Sequence, residues 1–345
     1  MRLRNRRPNG GQRAMTKVVT LVATLATTVG LAAAVGTGSA SASDVGPNKL
    51  GCIWGSGGNV GIGNNIGTGG CAPGFVRVNA WTRPGNTKTV VLLDGLRAQN
   101  DYNGWQINTN VGPWLRDRGI NVVEPVGGYM SWYSDWNTPD NFSGQAKPYR
   151  WYSTITGSLV GWMRSNTPTR SGKYSIMGLS MGGNAALVIA SKRPDIFDRA
   201  GSLSGYLNLS APGMREAIRI SMIFPMLDGG TPAMNSDAMW GPPWDWRWTD
   251  NDPFVRINNM KKLSKVYVSA GSGALRGEDD LLANPMLLIQ GTPLELLAQA
   301  QGRAFQVQAL INNVPLLTYF PPVGVHNWNN WQDSMQNAYN TGFFN

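Results

Sequence analysis

Ser180 and His326 have the residue type and the setting for covalent catalysis. Ser180 stands in Tyr174-Ser175-Ile176-Met177-Gly178-Leu179-Ser180-Met181-Gly182-Gly183, a Gly-x-Ser-x-Gly motif with an aliphatic run before it and a helix-forming run after it. That setting predicts a sharp strand-to-helix turn, with a strained serine and flanking glycines that leave room for the neighbouring strand and helix. Such a turn lifts the hydroxyl clear of a sheet, while the N–H of Met181 and the helix N-terminus face an incoming oxyanion. A serine hydroxyl is a poor nucleophile at neutral pH and needs a base. His326 is the sole histidine of the chain, in Phe320-Pro321-Pro322-Val323-Gly324-Val325-His326-Asn327-Trp328. A lone motif or a lone histidine says little. Together each fills the role the other lacks, and the pair predicts a serine hydrolase chemistry.

Serine followed by a histidine near the C-terminus is the order of the α/β-hydrolase fold. The third member, an acid, is expected after the apolar run Val266–Ala270 and before His326, where the carboxylates are Glu278, Asp279, Asp280 and Glu295. Position just after the run favours the Glu278-Asp279-Asp280 cluster, although three consecutive acids also describe a solvated loop. A metal-assisted mechanism would need more ligands than one histidine supplies, so neither metal nor cofactor is expected.

The surrounding pattern supplies elements to hold these residues. Phe75 to Trp81 alternates at period two, as a half-buried strand does. Thr89–Leu93 is an unbroken β-branched and aliphatic run, suited to a strand covered on both faces, and Ile120–Val126 and Tyr174–Met177 read as further buried strands. Ala200–Leu203 and Val266–Ala270 predict further strands, and helices are expected over 113–118, 151–164 and 184–192. Strands alternating with helices imply an α/β fold with a mostly parallel central sheet flanked by helices. Residues 208–253, irregular and rich in Trp, Pro and Met, read as a lid inserted over that sheet.

The chain has 345 residues, 42% hydrophobic and 14% charged, which excludes a disordered protein. Its formal charge of +10 is concentrated at the start: residues 1–42 hold six Lys and Arg and no acid, leaving +4 for the rest. No basic run with interleaved aromatics appears, so no nucleic-acid partner is expected. Residues 1–42 read as a secretory signal, with a basic stretch, an apolar run Val18–Val35 and small residues Ala40-Ser41-Ala42. Met15 is an alternative start. Export places the two cysteines, Cys52 and Cys71, in an oxidising compartment, where a pair is expected to form a disulfide across the Gly-rich segment 43–74. Residues 75–345 are then the catalytic domain.

The segment Leu92-Leu93-Asp94-Gly95-Leu96-Arg97-Ala98-Gln99-Asn100-Asp101-Tyr102-Asn103-Gly104-Trp105 closely resembles the signature of the antigen 85 mycolyltransferases. Similar segments follow in order: Pro125-Val126-Gly127-Gly128, Tyr133-Ser134-Asp135-Trp136, Ala200-Gly201-Ser202-Leu203-Ser204, Met239-Trp240-Gly241-Pro242, Asn251-Asp252-Pro253 and Phe320-Pro321-Pro322. The resemblance implies transfer of mycolic acids from trehalose monomycolate to trehalose or arabinogalactan in a cell envelope, with peripheral contact with envelope lipid. It places the nucleophile at Ser180, the base at His326, and the oxyanion donors at the backbone N–H groups of Leu96 and Met181. It moves the acid to Glu295, in Thr292-Pro293-Leu294-Glu295 ahead of Phe305-Gln306, and it puts Asp94, Arg97, Asn108 and Trp328 where the family binds trehalose. The lid methionines, Met214, Met222, Met226, Met234 and Met239, with Leu227, either line a lipid channel or pack in the core. The sequence departs from the family pattern in lacking cysteines over 137–149 and near Val268, and in a longer segment over 271–293. Two rival readings remain: a secreted lipid esterase on the same scaffold, and a non-catalytic envelope-binding paralogue, which retention of Ser180, Glu295 and His326 disfavours.

Overall fold

The computed structural model describes residues 46–55, 60–61, 64–65, 67–167, 169–223 and 232–345. The expected signal over 1–42 lies outside these residues, as do Met226 and Leu227.

Eight strands form one sheet: β1 (Lys49–Trp54), β2 (Phe75–Trp81), β3 (Lys88–Leu93), β4 (Ile120–Pro125), β5 (Tyr174–Leu179), β6 (Phe197–Leu203), β7 (Lys265–Ser269) and β8 (Leu316–Tyr319). Their spatial order is β1-β2-β4-β3-β5-β6-β7-β8. The first two strands join antiparallel, and every pairing from β4 onward is parallel. The aliphatic runs explain the layering. Alternate residues of a strand point to opposite faces, so Val91, Leu93, Val123 and Ile176 pack in one apolar layer, while Val90, Leu92, Val122 and Met177 pack in the other. All eight of these side chains are essentially inaccessible to water. Helices cover both faces, as such strands require.

β1 was not anticipated. It arises from the Gly-rich segment and buries only Ile53 firmly, yet all six of its residues pair with β2, over Phe75–Ala80, as the sheet's edge. The Cys52–Cys71 disulfide ties it to the loop before β2. β1 is therefore held by a backbone ladder as well as by the cross-link.

Between β6 and β7, the expected lid contains helices Met214–Ile223, Ser236–Trp240 and Trp246–Asp250. Met222, Met234 and Met239 are buried within the first core layer, and Met214 is buried where its sulfur accepts from the Gln301 amide at 2.8 Å. These four serve packing. Among the described residues, no helix is long and apolar enough to cross a membrane.

Candidate active site

Parallel strands present all their carboxyl ends at one edge of a sheet, and in open α/β sheets that edge is where sites form. Ser180, Ser204, Gly271 and His326 lie in the segments that leave that edge after β5, β6, β7 and β8. Ser180 follows β5 directly, and helix Met181–Lys192 begins at the next residue. Its backbone is at φ 52° and ψ −120°, a conformation costly to any residue with a side chain. Its own N–H donates to the Leu203 carbonyl of β6 at 2.8 Å, which locks the turn onto the neighbouring strand. The flanking glycines are dictated by packing. A Cβ on Gly178 would collide with the Gly182 carbonyl, and one on Gly182 with the Asp94 carbonyl. The N–H of Met181 opens the helix, where unpaired backbone donors favour negative charge.

His326 and Glu295 are joined directly, with His326 Nδ1 2.8 Å from Glu295 Oε2. Glu295 lies in the first turn of helix Thr292–Ile311 and is wholly buried. Burial of a carboxylate is tolerated when its oxygens are filled with donors, and here they are. Oε1 accepts from the Ser204 hydroxyl at 2.7 Å, the Gly271 N–H at 2.5 Å and the Asn330 amide at 2.7 Å. With its first oxygen so occupied, the carboxylate turns the second toward the imidazole. The His326 N–H of the backbone bonds the Gly291 carbonyl at 3.0 Å. The ring lies stacked against Tyr206 and edge-on to Trp331, with centroids at 6.3 Å and 5.0 Å. Tyr206 is in turn held by Asn184, from the helix after the nucleophile, whose amide donates to the Tyr206 carbonyl at 2.8 Å. Burial pushes the Tyr206 phenol well above its ordinary value, with the Glu295 charge adding to the effect, so its ring faces the imidazole as a neutral group.

The acidic loop residues do not reach the histidine. Asp279 accepts from the Arg276 backbone N–H and from the side chain of Asn327, the residue that caps helix Trp328–Asn340. Of the four carboxylates the sequence offered, Glu295 is the one bonded to His326.

Three of the four residues expected near the sugar, Asp94, Asn108 and Trp328, gather around Gly104. Asp94 Oδ1 accepts from the Gly95 N–H at 2.7 Å and Oδ2 from the Gly104 N–H at 2.6 Å. Burial raises its carboxyl to about 6, against the pull of these two bonds. Asn108 donates to the Gly104 carbonyl at 2.9 Å, Trp328 packs edge-on against Trp105, and Arg97 lies over the Tyr129 ring at 5.9 Å. Asp94 is thus already committed to shaping the backbone of the loop after β3. A second acid, Glu124, is fully buried on β4; burial, and then the Asp94 charge, push its carboxyl well above the ordinary range. Among the described residues, no group of three or more His, Cys, Asp or Glu side chains could hold a metal ion.

The sequence alone assigns no role to Ser204, Asn330, Tyr206 or Trp331. Ser204 had a usable signal, its place as the first residue past the predicted strand Ala200–Leu203; the structure sets it at the end of β6, beside the strand that Ser180 follows, with its N–H bonded to the Ser269 carbonyl of β7 at 2.7 Å. The others carry no local pattern.

The Esterase family model matches residues 75–341. The Ag85C diacylglycerol acyltransferase/mycolyltransferase of Mycobacterium leprae is 34% identical over 254 residues, covering 73% of this chain and 72% of that protein. The Ag85B diacylglycerol acyltransferase/mycolyltransferase of Mycolicibacterium smegmatis is 37% identical over 252 residues, covering 72% and 74%. The chain belongs to the antigen 85 family. Among solved structures, Mycobacterium tuberculosis MPT51 (FbpC1) is similar at a TM-score of 0.63 and 25% identity, covering 79% of this chain and 93% of that one. The antigen 85 resemblance noted in the sequence and the eight-stranded sheet therefore agree.

Proposed function

We propose that this antigen 85 family member is a serine-dependent acyltransferase that moves a mycolyl group from trehalose monomycolate to trehalose or arabinogalactan, acting outside the cell in envelope assembly. The observation that carries the reading is the buried Glu295–His326 pair, set at the same sheet edge as Ser180 on its strained turn. Relatives named as diacylglycerol acyltransferase/mycolyltransferases in two mycobacterial species support mycolyl as the group transferred, and the choice of trehalose or arabinogalactan as acceptor follows the family resemblance of the sequence.

Glu295, accepting from Nδ1–H, fixes the imidazole tautomer that leaves Nε2 as the base. Nε2 takes the Ser180 proton as Oγ attacks the ester carbonyl, and the carbonyl electrons move to an oxyanion held by the N–H groups of Leu96 and Met181. Collapse breaks the ester bond, and the imidazolium returns its proton to the departing trehalose hydroxyl, leaving a seryl ester. A second sugar hydroxyl then gives its proton to Nε2 and attacks that ester, which frees Ser180. Asp94, Arg97, Asn108 and Trp328 are proposed to shape the trehalose subsite, Asp94 by holding the backbone around Gly95 and Gly104.

Incubation with trehalose monomycolate tests the proposal. Trehalose dimycolate should form, and Ser180→Ala should abolish it. Free mycolic acid without dimycolate would make the protein a lipid esterase instead, and full activity in Ser180→Ala would refute the catalytic assignment.

A further inference from the structure

The loop that follows β4 carries an unusual concentration of left-handed backbone. Met130, Trp132 and Tyr133 have φ of 50°, 50° and 44°, following Gly127 and Gly128 at 106° and 98°. Large side chains rarely adopt this region, and such residues persist where the surroundings over-determine them. Here all three are buried. Besides these three, the positive-φ residues other than glycine among the described residues include Ser180 itself.

The loop's hydrogen bonds show what holds it, and what it holds. The Met130 N–H donates to the Leu96 carbonyl at 2.9 Å. The Trp132 N–H donates to the Met181 sulfur at 3.1 Å. The Tyr133 hydroxyl accepts from the Asp94 N–H at 3.0 Å and donates to the Gly127 carbonyl at 3.2 Å. Burial keeps that phenol far above its ordinary pKa, so its proton stays in place for the bond to Gly127. Because the sheet order is β4-β3-β5, a loop leaving β4 crosses the end of β3, where Asp94–Leu96 lie, and reaches the end of β5, where Met181 begins its helix. Three successive strands are tied together at their carboxyl ends.

We propose that this strained loop is the positioning element of the oxyanion hole, with the Tyr133 hydroxyl setting the Asp94–Leu96 backbone and the Trp132 N–H holding Met181. The inference rests on the assignment of Leu96 and Met181 as the oxyanion donors. Donor geometry matters most where charge develops, so a loop that orients two N–H groups acts on the transition state rather than on substrate binding. A strained, fully buried connection also resists relaxing toward an easier backbone, which keeps both donors aimed before substrate arrives.

Tyr133→Phe removes the hydroxyl and keeps the ring that packs edge-on against Trp151 at 5.3 Å. With p-nitrophenyl butyrate as substrate, kcat should fall about tenfold to a hundredfold with KM within about twofold, since loss of one oxyanion donor costs about a hundredfold or more. A tetrahedral boronic acid inhibitor should weaken in parallel with kcat. Met181→Leu keeps the side-chain volume and removes the sulfur acceptor, and it should lower kcat several-fold, again at constant KM. An unchanged kcat in folded Tyr133→Phe, or a fall explained by the unfolded fraction in a circular dichroism melt, would overturn the proposal. Should Tyr133→Phe fail to fold, an unchanged kcat in Met181→Leu overturns it. Ser180→Ala in the same assay separates the two readings: its inactivity upholds the nucleophile while the loop is judged alone, and its activity defeats the catalytic assignment first.

Discussion

Replacing Glu295 with glutamine gives the sharpest test of the site, because the structure dictates where the new amide must point. Oε1 receives three donors, from Ser204, Gly271 and Asn330. An NH2 group placed there would face all three, so the glutamine oxygen takes that position and the NH2 turns toward His326. Nδ1 must then present its lone pair, which moves the ring proton to Nε2 and removes the base that Ser180 needs. The analogous carboxylate-to-amide change in a serine triad costs about 10⁴ in kcat, which is about 5.5 kcal/mol at 1.36 kcal/mol per tenfold. Stability should change much less. Three charge-assisted bonds become neutral ones, each weaker by about 1 kcal/mol, while the cost of burying a charge disappears. Net destabilisation should stay within about 2 kcal/mol. Hydrolysis of p-nitrophenyl butyrate beside a urea unfolding curve measures both quantities. Asp279→Asn, whose carboxylate contacts Arg276 and Asn327, should cost less than about tenfold by the same reasoning. The reasoning fails if Glu295→Gln keeps more than about a tenth of wild-type kcat, or if the Asp279 variant loses as much.

Two further predictions concern stability. Asp94 has its carboxyl raised to about 6 from the usual 3.8, so the folded state holds a proton over that interval which the unfolded chain has released. Stability contributed by this group is present below pH 4 and is lost as pH rises through 6, by about 3 kcal/mol in all. Asp94→Asn should flatten the pH dependence of unfolding free energy between pH 4 and pH 6; an unchanged slope would show that the group does not titrate there. Cys52→Ser/Cys71→Ser removes the cross-link between positions 19 residues apart, and a loop of that length predicts a loss of about 3 kcal/mol. Equal urea midpoints for the variant and the oxidised parent would contradict it.

What could be read from the sequence follows the range of the forces involved. The strands of the sheet centre were legible because burial on both faces demands unbroken aliphatic runs, and Val90 to Leu93 is such a run. Ser180 was legible because a strained turn between a buried strand and a helix excludes side chains on either flank, leaving Gly178 and Gly182 as a local signature. β1 was not, since an edge strand with one buried residue leaves only its backbone ladder, which any residue but proline can form. The same limit governs the acid. Position in the chain favoured the Glu278–Asp280 cluster, and only the family resemblance pointed to Glu295.

The physical reason Glu295 bonds the histidine is that its carboxylate is stabilised by donors 91, 24 and 35 residues away in sequence, from three different segments. No local pattern encodes such a convergence. The sheet does: it ends β6, β7 and β8 side by side, so that Ser204, Gly271 and the helix bearing Asn330 meet at one carboxylate. A charge that must be buried is thus made acceptable by the fold rather than by its neighbours in the chain. The Glu295–His326 pair and the strained Ser180 turn are therefore coupled through β6, where Leu203 accepts the Ser180 N–H and the next residue donates to Glu295. This coupling gives a role to Ser204, which the sequence places in a family-like segment without a function of its own. Deleting its hydroxyl would leave Glu295 one donor short and loosen the carboxylate that orients His326, while the nucleophile's own turn, held by the Leu203 carbonyl, would remain in place.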